Sequence, residues 1–388
     1  MARLRNSYFA YFLMYNFYFL SFSLFSTLIS VYMMDLGFSA QEVSVVVSVS
    51  FLASMIVQTI LGNLIDRLGL KPVTLVSFVV VILGGIFFMQ AKSLWALTLG
   101  YSLVIMLING VNPVMDMLAA RSPFTYGKIR IWGTIGYAIG AQMAGFIYQH
   151  IAPSAIFMVF ILTMLLSIGG VLVIDFPAGQ TEQATSEKSG STSFAAFWGN
   201  KTYLLYLFFM ILVYGVVNTG HTYIPSMLEA SGLSVNAAST IVSIAVICES
   251  PLIFFSYLFM DKFSSKQLMV VPLVIITLQY LVYSQDLGLM SKIVLTLIAK
   301  HAASMILLMV NLKVVASLIE ERYMVTALAL VQTGRNLGAI LVQNLASSLI
   351  DNYGYATMNL FLTGIMLVSL VMFALLKLPK GPKERLFS

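Results

Sequence analysis

Arg130 stands near the start of the apolar, glycine-rich run IRIWGTIGYAIGAQMAGF, in a chain of 388 residues of which only 9% are charged. A guanidinium keeps its charge in a protein, so one in hydrocarbon needs a partner, a water-filled cavity or an escape to the interface. Asp116, in VIMLINGVNPVMDMLAA, is the candidate counter-ion, and such a pair lining a cavity would mark a substrate site. Tyr137 follows Arg130 by seven residues, about two helical turns, so the two share a face. A ring beside a fork of hydrogen-bond donors is a platform for a sugar or a nucleobase. Asn112 lies one turn before Asp116 and adds a polar contact. The plainer alternatives stay open: Arg130 could snorkel to the interface, Tyr137 could be a packed aromatic, and Asp116 with Arg130 could be a structural salt bridge.

A second group of residues suits proton movement. Glu249 in AVICESPLIFF is a carboxyl in apolar surroundings and could cycle between protonated and charged forms. His301 could titrate or simply be packed, and its neighbour Lys300 is the expected partner of Glu249. Arg335 lies well inside the apolar run around VQTGRNLGAIL, whereas Lys313 falls near a span end, where snorkelling is the default. Asp116, Glu249, His301, Lys300 and Arg335 are thus the candidates for proton coupling. The chain has no His/Cys/carboxylate cluster with metal-ligand spacing, no phosphate-binding loop and no nucleophile motif, so neither enzyme, metal nor cofactor is expected. Its single cysteine, Cys248, rules out an intramolecular disulfide.

The elements that must hold these residues are membrane helices. Hydrophobic residues make up 60% of the chain and the mean hydropathy is +0.94. A soluble domain of this length would carry far more charge. The sequence supplies roughly twelve stretches of the length a bilayer requires. They fall near 7–34, 42–65, 71–91, 93–120, 123–149, 153–175, 202–231, 235–260, 267–285, 289–318, 323–350 and 354–377. The first is too long for a signal-peptide core and has no small-residue cleavage pattern, so it reads as a span. The expected fold is all-α and integral to the membrane, with two six-helix pseudo-symmetric bundles.

Basic residues set the orientation. Arg3, Arg5, Arg67, Lys71, Arg121, Lys128, Lys262, Lys266, Arg322 and the C-terminal lysines fall on the side of the termini. The other side has little beyond Lys92 and Lys292. Both termini are therefore expected in the cytoplasm, with the protein multi-pass in the plasma membrane. The pI near 9.2 reflects these loops rather than a nucleic-acid patch. A polar stretch, PAGQTEQATSEKSGST from Pro177 to Thr192, reads as a flexible linker. This gives an N-terminal bundle at 1–176, a cytoplasmic linker at 177–200 and a C-terminal bundle at 201–388. A monomer is expected, with lipid, a small solute and protons as its partners.

The halves echo each other. GNLIDRLGLK after the second span carries Gly62, Asp66, Arg67, Gly69 and Lys71, and YLFMDKFSSK after the eighth repeats the order with Asp261, Lys262 and Lys266. These are read as a cytoplasmic-loop gating motif. The first resembles the loop signature G-x-x-x-D-[RK]-x-G-x-[RK] of the major facilitator superfamily, and the resemblance extends over the whole chain. With SPFTYGKIRIWGTIGY, it is most similar to the oligosaccharide and nucleoside proton symporters, the lactose permease group. That resemblance implies the major facilitator fold, and a fifth-helix arginine followed seven residues on by a sugar-stacking aromatic, here Arg130 and Tyr137. It also implies a fourth-helix acid (Asp116) and an eighth-helix acid (Glu249). The tenth helix departs from the group's His-x-x-Glu pattern, because no acid follows His301 until Glu320. The implied function is proton-coupled symport of a sugar, oligosaccharide or nucleoside by alternating access. The competing class is a proton-coupled exporter of drugs, lipids or other amphiphiles, which 23 methionines would suit.

Overall fold

The computed structural model describes residues 5–174 except 121 and 125, residues 199–376 except 256–259, 261, 286 and 321–323, and residue 378. Regular structure among the described residues is helical, as it must be where lipid offers the backbone no partner. The first part contains α1 (Tyr8–Ser26), α2 (Ile29–Asp35), α3 (Ala40–Leu68), α4 (Leu70–Gln90), α5 (Leu94–Ala120), α6 (Tyr126–His150) and α7 (Ala155–Val173). The second contains α8 (Lys201–Ala230), α9 (Val235–Ile247), α10 (Ser250–Phe254), α11 (Ser265–Ser284), α12 (Leu289–Ala299), α13 (Ala302–Leu318) and α14 (Met324–Leu375).

Among the described residues, ten helical stretches are long and apolar enough to cross a membrane. One of them, inside the 52-residue α14, is long enough to cross twice and turns at Gly354, where φ is 81°. α6, with 25 residues, is long enough as well, but Lys128, Arg130, Gln142 and Gln149 dilute its hydropathy. Together these are consistent with twelve passes. Some expected spans are broken. α9 gives way to α10 at Cys248–Glu249 because Pro251 has no N–H to offer the carbonyl of Ile247. α12 gives way to α13 at Lys300–His301 without a proline or glycine.

The chain divides into two compact units, residues 1–188 with 233–243, and residues 189–232 with 244–388. The start of α9 joins the first unit through α6. Asn236 accepts from Gln142 at 3.1 Å, the Ser243 hydroxyl donates to the Ala138 carbonyl at 2.7 Å, and Ser239 packs where Gly145 leaves space. Residues 175–198, which include most of the expected linker, lie outside the described residues.

Glycines set the closest helix seams. On α6, a Cβ at Gly136 would strike the Asn16 carbonyl of α1, and one at Gly140 would lie 2.5 Å from the Leu20 carbonyl. In the second unit a Cβ on Gly338 of α14 would strike the Ile211 carbonyl of α8. Small residues thus let first and fifth helices meet backbone to backbone in both units.

The repeated charged turn acts on helix ends. Lys71 Nζ donates to the carbonyls of Leu172 and Ile174 at 2.8 and 2.9 Å, at the end of α7. Its counterpart Lys266 donates to Ala374, at the end of α14, at 3.4 Å. A lysine on the last carbonyls of a helix both caps them and opposes the negative end of the dipole. Lys71→Met should therefore cost about 1 kcal/mol, read as a lowered melting temperature of the purified protein. An unchanged melting temperature would show that the cap contributes nothing.

A further repeat joins the helices at two glycine turns. Gly37 and Gly232 both adopt positive φ, at 92° and 100°. Each is followed two residues later by a serine, Ser39 or Ser234, that caps the next helix by accepting from Glu42 N or Ala237 N at 3.2 Å.

Candidate functional site

In the first unit the expected pair forms, within a larger cluster. Arg130 Nε lies 4.0 Å from Asp116 Oδ1. The Tyr15 hydroxyl of α1 donates to the same carboxylate oxygen. The Arg130 guanidinium lies over the Phe19 ring, also on α1, at 5.4 Å from its centroid. Gly133 is necessary here, because a Cβ would lie 2.6 Å from the Tyr15 ring and 3.1 Å from Arg130 Nη1. The side chains of Arg130 and Asp116 are 28% and 41% exposed, so the pair is open enough for its groups to be shared with a solute. Tyr137 faces α1 too, meeting Phe22 edge-on at 5.8 Å. Asn112 sits one turn before Asp116 on α5, and its carbonyl oxygen is buried without a hydrogen-bond partner among the described residues.

The second unit assembles its charges at the two helix breaks. His301 Nδ1, at the start of α13, lies 3.8 Å from Glu249 Oε2, in the turn between α9 and α10. Lys300, the expected partner, is not the one that pairs. The two residues stand in the break between α12 and α13, where successive side chains leave the backbone in different directions, and it is His301 that meets Glu249. His221 of α8 packs against His301 with ring centroids 5.1 Å apart. Arg335 of α14 stacks over the Tyr214 ring of α8 at 3.8 Å and donates to Gln332 at 3.1 Å. Both units therefore lay an arginine of the fifth helix across an aromatic of the first: Arg130 on Phe19, and Arg335 on Tyr214. The Tyr206 hydroxyl donates to Asn311 of α13 at 2.8 Å, much as Tyr15 donates to Asp116.

The structure thus brings Asp116, Arg130 and Tyr137 to α1, and Glu249 to His301. Sequence reasoning did not single out Tyr15, Phe19, Tyr214 or His221. His221 had a usable signal, being one of only three histidines and placed mid-span. The aromatics had none. Of the loop motif, Asp261 and the side chain of Asp66 lie outside the described residues, while Arg67 and Lys262 are exposed. A Cβ added at Gly62 would meet nothing within 4 Å among the described residues, so no neighbour in its own unit demands a glycine there.

The sequence matches the MFS_1 like family over residues 8–341. It is similar to the maltose permease of Geobacillus stearothermophilus, 23% identical over 372 residues covering 93% of each chain. The sucrose permease of Escherichia coli is 22% identical over 390 residues, covering 95% of this chain and 93% of that protein. Among solved structures, the nucleoside transporter NupG superposes with a TM-score of 0.82 at 16% identity, covering 95% of this chain and 98% of that one. That likeness bears on the fold.

Proposed function

The chain belongs to the MFS_1 like family, and from that premise we propose that it is a secondary active transporter that symports a small hydroxylated solute with protons by alternating access. The solute class is a sugar, oligosaccharide or nucleoside. The observation that carries this reading is the cluster of Arg130, Asp116, Tyr15 and Phe19 in the first unit. A solute hydroxyl can donate to the Asp116 carboxylate while accepting from the Arg130 fork. Tyr15 holds one carboxylate oxygen and Phe19 holds the guanidinium plane, so both groups are oriented before the solute arrives. Tyr137 offers a ring face one helical repeat away, and Asn112 adds an acceptor. In the second unit Glu249 shares the field of His301, so a proton arriving there changes what each attracts. Lys300 and Arg335 set the positive surroundings of that exchange, and Glu249 remains a candidate contact for solute. Asp116 is the competing proton carrier.

This reading places the protein in the plasma membrane as a multi-pass monomer with cytoplasmic termini, acting by transport rather than catalysis. The domain organisation is an N-terminal bundle at 1–176, a linker at 177–200 and a C-terminal bundle at 201–388, with residues 233–243 packing on the first unit. The motif around Gly62, Asp66, Arg67, Gly69 and Lys71, with Asp261, Lys262 and Lys266, serves as the gate.

The test is uptake by proteoliposomes under an imposed proton gradient, against a panel of neutral sugars and nucleosides. Accumulation of one of them supports symport; expulsion of a dye with no sugar or nucleoside accumulated would instead establish the exporter. Arg130→Ala should leave the protein folded and weaken solute binding at least tenfold, since a hydrogen bond to a charged group is worth about 1.5–3 kcal/mol. Ligand-induced thermal shifts measure this directly. Misfolding of the variant would make Arg130 a structural residue.

A further inference from the structure

Lys300, part of the positive surroundings of the proton exchange, has a burial that the exchange does not explain. It is 7% exposed. Among the described residues it has no carboxylate at ion-pair distance and no acceptor for its ammonium; the nearby acid, Glu249, is at His301. Both Lys300 and Arg335 act electrostatically on His221. Burying an ammonium in this way carries a large desolvation penalty unless something negative or strongly polar meets it.

Lys300 lines a small cavity in the second unit, shared with Gly220, Gln279, Tyr280, Ala299 and Ser304. Its volume is about 10 Å³, room for one water-sized particle. Most side-chain donors on its wall are already engaged. Ser304 donates to the Lys300 carbonyl at 2.9 Å, Tyr280 to Val216 at 3.3 Å, and Gln279 to Tyr283 at 3.0 Å. Among the described residues, the Lys300 ammonium remains without an acceptor. Ser304, in the first turn of the 17-residue α13, also lines the cavity, and the N-cap of that helix, His301, makes no side-chain capping bond, so the dipole adds positive potential at this end. The described residues hold no group of three or more His, Cys, Asp or Glu that could bind a metal, so a cation does not account for the pocket.

We propose that this cavity is a binding site for a monoatomic inorganic anion of chloride size, held by Lys300 near the amino end of α13. A single-atom anion is the smallest inorganic anion that would neutralise the lysine in so small a cavity. The site is separate from the solute cluster around Arg130, so it stands or falls independently of the transported substrate.

The experiment is thermal unfolding of the full-length protein in detergent, with sodium chloride replaced by sodium gluconate at constant ionic strength. Chloride and bromide should raise the melting temperature by a few degrees in a saturable manner, and sulfate should not. Lys300→Met should lose the response and Lys300→Arg should keep it. Equal melting in chloride and gluconate would overturn the site, as would a full chloride response in Lys300→Met. A shift produced by an acidic sugar and by no halide would overturn the monoatomic assignment. Should Lys300→Met fail to fold, the halide, sulfate and gluconate series on the unaltered protein decides the matter by the same criteria.

Discussion

Glu249→Gln should abolish proton-driven accumulation while leaving solute able to equilibrate across the membrane. The substitution keeps the shape of the side chain and its place 3.8 Å from His301, but removes the group that can lose and regain a proton. In a one-to-one symporter each pH unit supplies about 1.4 kcal/mol, a tenfold accumulation of solute. Under a gradient of roughly two pH units the unaltered protein should therefore concentrate its solute about 100-fold, and the variant should reach a ratio of about 1. Solute exchange across proteoliposomes with no gradient should persist in the variant, because exchange needs binding and reorientation without net proton release. Asp116→Asn is the necessary comparison. If that variant loses accumulation and keeps exchange, while Glu249→Gln accumulates normally, the proton belongs to the first unit and the reading of Glu249 fails.

The legible parts of this molecule are those where a rare residue type stands against an apolar background. Arg130 and Asp116 were visible because charge is scarce in the spans, and their 4.0 Å approach follows from one helix feeding directly into the next. The paired charged turns were visible for the same reason, and their lysines meet equivalent helix ends. Pro251 announces the break beside Glu249, although only the structure shows that the break meets His301. The α12–α13 break has no such announcement, so nothing in the sequence says which of Lys300 and His301 faces the acid. The aromatic partners were hidden by abundance. Tyr15 and Phe19 are two among 19 tyrosines and 27 phenylalanines, and no periodicity separates a ring that supports a guanidinium from one that fills a core. The matching placement of Arg130 over Phe19 and Arg335 over Tyr214 is a property of helix packing, and emerges only when the fifth and first helices of each unit are seen together.

That packing rests on glycine, and Gly136→Ala should be among the most damaging single-atom additions the protein can receive. The added Cβ would meet the Asn16 carbonyl, which is backbone and cannot swing aside as a flexible side chain can. Asn16 is 3% exposed and its amide donates to the Trp132 carbonyl at 3.0 Å across the same seam. Moving α1 away would therefore break this bond as well as open the packing. Overpacking of this kind costs about 3 kcal/mol, and separating α1 from α6 would also pull Tyr15 and Phe19 away from Asp116 and Arg130. The variant should show both a lowered melting temperature and loss of solute binding. Gly62→Ala supplies the contrast, because a Cβ there meets nothing within 4 Å among the described residues. In mid-helix it should stabilise by roughly 0.5–1 kcal/mol. If Gly62→Ala nevertheless slows transport in a protein that melts no lower than the parent, the glycine is required for movement at the gate rather than for the folded unit. If Gly136→Ala melts like the parent and binds solute, the α1–α6 seam is slack, and the preorganisation assigned to Tyr15 and Phe19 goes with it.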